Sequence, residues 1–270
     1  MCGRYVNISK LQAVEKRFQV QTDNPEMYRI HVNVGPGSLA PVITQKDPAA
    51  LQFFTFGLTP SWSKKRMYLF NARAEGDHNK ENDPLYRGAR GIIQKPAFRS
   101  SIRTKRCLVI ADAFLEGPEK EKLSKPYLVY LKEGNRPFAF AGIYEEWVDK
   151  ESGEVVPSFA IITTVPNAVT QKIGHHRSPV ILKPEQERLW LDERTPLAEI
   201  TAMLDPFPGE EMNAYPISNA IKNPRAEGLE LLQPIGQRIF PEYEYVLYEE
   251  LKLEGMGSTT ARNRKKEENP

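Results

Sequence analysis

Apolar positions in the first twenty residues recur at Leu11, Val14 and Phe18, one face of a short helix. Ser9 with Gln12 three residues later has the form of a capping box for it. Residues 22–39 break the pattern with Pro25, Gly35, Pro36 and Gly37 and read as mostly loop. Beyond them short apolar runs rich in β-branched and aromatic residues dominate, at 40–45, 51–56, 106–112, 126–132, 137–143, 157–164, 178–182 and 240–248. "EGNRP" at 133–137 predicts a hairpin turn between two of these runs. Helical patterning returns at 184–191, with Pro184 in the first turn, and at 196–204, with Thr195 as cap and Pro196 at the first position. Many strands with few helices predict an α+β fold: one compact domain with a mainly antiparallel, barrel-like β core and peripheral helices. The domain is expected over 2–254, followed by a disordered basic tail at 255–270.

Composition narrows the setting. The 270 residues are 40% apolar, enough to bury a sizeable core, and carry a net charge of +2. No apolar run approaches the ~18 residues of a membrane span, and nothing at the N-terminus has the form of a signal peptide. Two cysteines, Cys2 and Cys107, make no disulfide framework. These features predict a soluble protein of a reducing compartment, cytoplasmic or nuclear. The charge is nevertheless uneven. From Leu85 to Ile110 there is no acidic residue, while Arg87, Arg90, Lys95, Arg99, Arg103, Lys105 and Arg106 all fall there. Such a stretch is either a solvated face or a footprint for phosphates.

Histidines 31, 78, 175 and 176 have no metal-ligand spacing, and no P-loop, dinucleotide fingerprint or nucleophile elbow is present, so neither metal nor cofactor is expected. Cys2 is the unusual residue. Once Met1 is removed it carries an α-amine, with a pKa near 8, beside a thiol near 8.5. With an aldehyde the amine forms a Schiff base, and the thiol closes a five-membered thiazolidine intramolecularly. The alternative use is an N-terminal nucleophile that attacks an amide. Glu116 follows Ala113, Phe114 and Leu115, an apolar setting that raises a carboxyl pKa towards acid–base duty. His175, His176 and Arg177 precede an apolar strand. Trp62, flanked by Pro60 and two lysines, suits stacking on a nucleobase, or else a place in the core.

The order of these segments is more specific than any one of them. "MCGRY" at 1–5, "FGLTPSW" at 56–62, "NARAE" at 71–75, "ADAFLEG" at 111–117, "FAFAGIYEEW" at 138–147 and "HHRSPVIL" at 175–182 resemble the SRAP family of abasic-site-processing, DNA–protein crosslinking proteins. "VNVGPGSLAPVI" at 32–43 and "YPISNAIKNPR" at 215–225 fit the same pattern. The resemblance implies loss of Met1 and a Cys2 thiazolidine with the aldehyde of an abasic site in single-stranded DNA. It assigns a hydrogen bond near the linkage to Asn71, acid–base work to Glu116, and sugar-ring opening and crosslink reversal to His175. Phosphate contacts fall to Arg4, Arg73 and Arg177, with Trp62 against the DNA; Arg99 and Arg103 of the basic stretch add to these. A monomer is expected. Three positions depart from the family's usual residues: Gly117 replaces an aromatic, Ser178 a methionine and Phe56 a tryptophan. The competing readings are an N-terminal-nucleophile amidotransferase, a peptidase, and a non-catalytic binder of single-stranded DNA.

Overall fold

The structure is a computed structural model and describes residues 3–132, 134 and 136–242. The chain divides into the units Met1–Ile239 and Phe240–Pro270. The strand expected at 240–248 lies outside the described residues from 243 onward, and the tail at 255–270 does so entirely.

Five strands close into a barrel: β3 (Leu39–Thr44), β4 (Leu51–Phe56), β6 (Arg106–Ala111), β9 (Phe138–Val148) and β10 (Val155–Thr164). The ring runs β10–β4–β3–β6–β9 and returns to β10; every pairing is antiparallel except β10–β4. Short strands flank it: β5 (Asn71–Arg73) and β11 (Ser178–Pro179) on β10, and β12 (Ile181–Leu182) on β9. A second, antiparallel sheet takes β1 (Arg4–Asn7), β2 (His31–Val34), β7 (Ala113–Glu116), β8 (Tyr127–Leu131) and β13 (Met212–Pro216), in the order β13–β8–β7–β1–β2. The helices are α1 (Leu11–Phe18), α2 (Ser101–Thr104), α3 (Ala168–Ile173), α4 (Pro184–Leu191) and α5 (Leu197–Ala202). The expected α+β class with a barrel-like antiparallel core is therefore what the chain forms.

Several local expectations fail for identifiable reasons. "EGNRP" does not close a hairpin: β8 pairs with β7 and β13 in the sheet, whereas β9 enters the barrel, so the turn joins two layers. The stretch 22–39 contains β2, whose Val32 and Val34 are buried, Val32 in the apolar cluster of Val6, Leu115 and Leu128. Ser9 does not cap α1; its hydroxyl and backbone N–H go to Asp112, as does the N–H of Ile8 at 2.6 Å. β6 and β7 are one run in the sequence, but the chain changes sheets at Asp112, whose N–H donates to Val6 O. The junction is sealed by aromatic rings. Tyr5 of β1, fully buried, meets Phe56 and Phe140 of the barrel edge-on, at 5.6 and 5.8 Å between centroids. Phe56 in turn stacks on Phe159 at 5.1 Å, so this position is core and accepts phenylalanine in place of the family's tryptophan.

The basic stretch is only partly a surface. Arg106 is 1% exposed and donates to the carbonyls of Ile102, Arg103, Trp190 and Asp192, tying α2 and α4 to the barrel. Arg90, Lys95 and Lys105 pair with Asp205, Asp77 and Glu145. Only Arg87, Arg99 and Arg103 stay exposed and clear of a carboxylate among the described residues, which shortens the expected phosphate footprint.

The Asp112 clamp predicts a large stability effect. Asp112→Ala leaves the Ile8 and Ser9 amides without their acceptor, and should lower unfolding free energy by about 2–4 kcal/mol. A urea titration with an unchanged m-value and a lower midpoint checks it.

Candidate functional site

The N-terminal strand is positioned by register. In β1, Arg4 pairs with Leu115, Tyr5 with Phe114 and Val6 with Ala113, so the start of β1 lies beside the end of β7, where Glu116 sits. Cys2 lies outside the described residues. It precedes Arg4 by two residues, a reach of at most about 7 Å of chain.

Glu116 is 6% exposed and His175 is 5% exposed. His175 comes from the turn after α3, which Gly174 ends in the left-handed conformation (φ 86°). Its Nε2 lies 3.3 Å from Glu116 Oε1. Burial pushes the Glu116 carboxyl up to about 7 and holds the His175 imidazole down at about 3. Near neutrality the carboxyl is therefore about half protonated beside a neutral imidazole. His175 Nδ1 lies 3.1 Å from Arg177 O and 3.2 Å from Arg177 N, so the Arg177 backbone meets the ring whichever nitrogen carries its hydrogen. His176 stacks on His175 at 4.8 Å and faces Glu119 Oε1 at 3.4 Å.

The "NARAE" and "HHRSP" segments converge on the end of β10. Asn71 and Arg73 pair with Ile161 and Thr163 in parallel register. Arg73 Nη2 donates to Asn79 O and to Asn82 Oδ1 at 2.9 Å, and Glu75 is fully buried. Arg177, expected at a phosphate, is instead turned inward at 2% exposure. Its Nη2 donates to Glu75 Oε2 and to Thr163 O, each at 2.8 Å, because a buried carboxylate and guanidinium must satisfy one another. Glu75, the last residue of "NARAE", and Thr163 are thus parts of the site to which the sequence assigns no role. Arg177 Nε and Nη1 and Arg73 Nε are buried and have no partner among the described residues.

The departures from the family pattern are accommodated. A Cβ at Gly117 would collide with the carbonyl of Lys122, so the turn at 118–125 occupies the space of an aromatic. Ser178 is buried and meets Thr170 Oγ1 at 2.8 Å, joining the hydrogen-bond cluster that caps α3. Trp62 and Arg99 do not join the Glu116–His175 pair. Trp62, 63% exposed, lines a separate groove of about 470 Å³ with Arg99, Ser100, Pro96, Ala97 and Glu145. Glu145 pairs with Ser158 of β10, five residues before Thr163; at ~3.3 Å per residue the groove lies on the order of 17 Å along the strand from the site. Arg103 is exposed and bonds to the carbonyls of Ile93 and Arg99. Cys107 is fully buried and its thiol pKa is pushed far up, so it is not a candidate nucleophile. Among the described residues no group of His, Cys, Asp or Glu is arranged to hold a metal ion, and no helix is long and apolar enough to cross a membrane.

The raised Glu116 pKa makes a stability prediction. Between the unfolded value of 4.5 and the folded value of about 7, the unfolded chain binds fewer protons at this carboxyl. Its contribution is therefore complete below 4.5 and is lost as pH rises towards 7. Glu116→Gln, which keeps the shape without the titration, should gain on the native protein across that window by up to about 3 kcal/mol. Denaturant midpoints of the two proteins from pH 4 to 8 check this; parallel curves would refute the shift.

The family described as SOS response associated peptidase (SRAP) matches residues 1–224. The abasic site processing protein YoqW of Bacillus subtilis is 32% identical over 86% of this chain and 99% of its own. The abasic site processing protein YedK of Escherichia coli is 26% identical over 75% of this chain and 84% of its own. A crystal structure of a protein from Bacteroides thetaiotaomicron superimposes with a TM-score of 0.71 at 33% identity, covering 86% of this chain and 99% of the other. With an N-terminal strand laid beside a buried Glu–His pair, and a family match over most of its length, the chain belongs to the SRAP family.

Proposed function

We propose that this protein processes abasic sites in single-stranded DNA by forming a thiazolidine crosslink through Cys2. The observation that carries the reading is the buried Glu116–His175 pair at the end of β7, beside the strand that begins two residues after Cys2. The names of the relatives point to the same lesion.

The chemistry balances without a cofactor. Removal of Met1 frees the Cys2 amine; an acylated amine cannot form an imine. The ring-opened abasic sugar presents an aldehyde. The amine adds to its carbon, and the carbinolamine loses water once its hydroxyl is protonated. A carboxyl titrating near 7 can give that proton and take one from the adding amine. The Cys2 thiol then adds to the imine carbon and its proton passes to nitrogen, so one water leaves overall. His175, held neutral and 3.3 Å from Glu116, would move a proton at the sugar hydroxyl when the ring opens or the crosslink reverses. Asn71, two residues before Arg73 on β5, would hydrogen-bond near the linkage. Arg4 and Arg73 are the cations for flanking phosphates, and Arg177 holds Glu75 and the His175 turn in place. Trp62 and Arg99, on their separate groove, and the exposed Arg103 would meet nucleotides farther along the strand.

Intact mass spectrometry after mixing the processed protein with an abasic single-stranded oligonucleotide tests this. A single adduct, heavier by the oligonucleotide less one water, is expected. It should vanish in Cys2→Ala and form about 10²–10⁴-fold more slowly in Glu116→Gln. An undiminished adduct in Cys2→Ala, or none in the native protein, overturns the reading.

A further inference from the structure

The segment "YPISNAIKNPR" at 215–225 takes no part in the chemistry above, yet the structure ties it to Arg4 through one side chain. β13 ends at Pro216, and Ser218 caps a 3₁₀ turn at Asn219–Lys222 by accepting from Ala220 N at 3.3 Å. Ile221 is fully buried in the apolar cluster of Val6, Val32, Leu115 and Leu128, which fixes where the backbone of this turn lies. Its carbonyl and that of Asn223 both point at Asn33 of β2. Asn33, 1% exposed, donates Nδ2 to Ile221 O and to Asn223 O, each at 2.9 Å.

Both amide hydrogens are thereby used, which settles the orientation of the side chain. Flipping the amide would set Oδ1 against two carbonyl oxygens in a buried place, a loss of two hydrogen bonds with added repulsion. Oδ1 is therefore turned the other way, where it accepts from Arg4 Nη1 at 2.7 Å. The Arg4 stem runs across Gly35: a Cβ there would lie 2.9 Å from Nε and 3.0 Å from Cδ. Arg4 is thus directed by Asn33 on one side and by the bare backbone of Gly35 beneath it.

We propose that Asn33 is a positioning residue that presents the Arg4 guanidinium to the DNA phosphate beside the nucleotide reacting with Cys2. The 217–225 turn is then part of the DNA-binding apparatus, because its carbonyls decide which way Asn33 faces. The inference rests on the crosslinking reading, in which Arg4 binds phosphate. A charge-assisted hydrogen bond of this kind costs nothing in chemistry at the aldehyde but sets affinity for the strand.

A double-mutant cycle tests it. Arg4→Ala, Asn33→Ala and the double variant are compared in two assays. The first is noncovalent binding of a single-stranded oligonucleotide carrying a tetrahydrofuran site, which has no aldehyde, across a range of salt. The second is single-turnover crosslinking to the abasic oligonucleotide. Arg4→Ala should weaken binding about tenfold or more and flatten the slope of log K against log salt by about 0.7 for the lost phosphate. Asn33→Ala should show the same two changes in smaller measure. It should raise the half-saturating DNA concentration while altering the saturated rate little, and should add nothing in the Arg4→Ala background. Where Asn33→Ala does not fold, as read from its melting temperature, Asn33→Ser supplies the comparison. Additive losses in the double variant, or an Asn33 variant with an unchanged salt slope, overturn the inference while leaving the crosslinking reading intact. A native protein that forms no adduct at all refutes that reading instead.

Discussion

The Asp112 carboxylate is the constraint on which the site depends. It sits where a single run of chain leaves the barrel as β6 and enters the sheet as β7, and it is 3% exposed. By accepting from Ile8 N, Ser9 N and Ser9 Oγ it pins the far end of β1 to this crossing. β1 is only four residues long, so fixing one end and its register against β7 fixes the other. The start of β1, at Arg4, is thereby carried beside the end of β7, where Glu116 sits. A short strand with a free end would fray; one clamped by several hydrogen bonds at its far end and by the buried Tyr5 ring at its centre does not have that freedom.

Burial then does the electrostatic work. Glu116 and His175 face each other in a place that penalises charge on either, so burial moves their pKa values in opposite senses towards the neutral pair. A carboxyl titrating near neutrality lies in contact with a neutral imidazole, which suits a reaction in which a proton must be given and taken back at neutral pH. A few positions away the opposite solution is used. Glu75 and Arg177 are also buried, and there the charges are kept and paired directly. The two arrangements share the turn 175–177, because the backbone carbonyl of Arg177 faces the His175 ring while its guanidinium holds Glu75. Packing at the end of β10 therefore couples the orientation of the imidazole to an ion pair that need not touch substrate.

Much of this was legible from the chain. The barrel strands β4 and β6 and the helix α4 fall where their patterns place them, since long apolar runs and a proline-initiated amphipathic turn are local signals. The segments carrying Cys2, Asn71, Glu116 and His175 were identifiable because unusual residue types recur in a fixed order. β1, β2, β5 and β13 were not, being three to five residues each and stabilised by partners far away in sequence.

By itself the sequence determined the α+β class, the inventory of reactive groups and the apolar setting of Glu116. Only the tertiary structure decided how those groups are used. Arg106 and Arg177 look like surface cations in a basic or polar context, and both prove buried, one on backbone carbonyls and one on Glu75. Ser9 reads as a helix cap and serves Asp112 instead. Asn33 lies in a segment that fits the family pattern, but its role shows only when two carbonyls from residues 221 and 223 take its amide hydrogens. In each case the deciding partner is remote along the chain. Hydrogen-bond demand in a water-free interior is a property of the assembled fold, and no local pattern of residues records it.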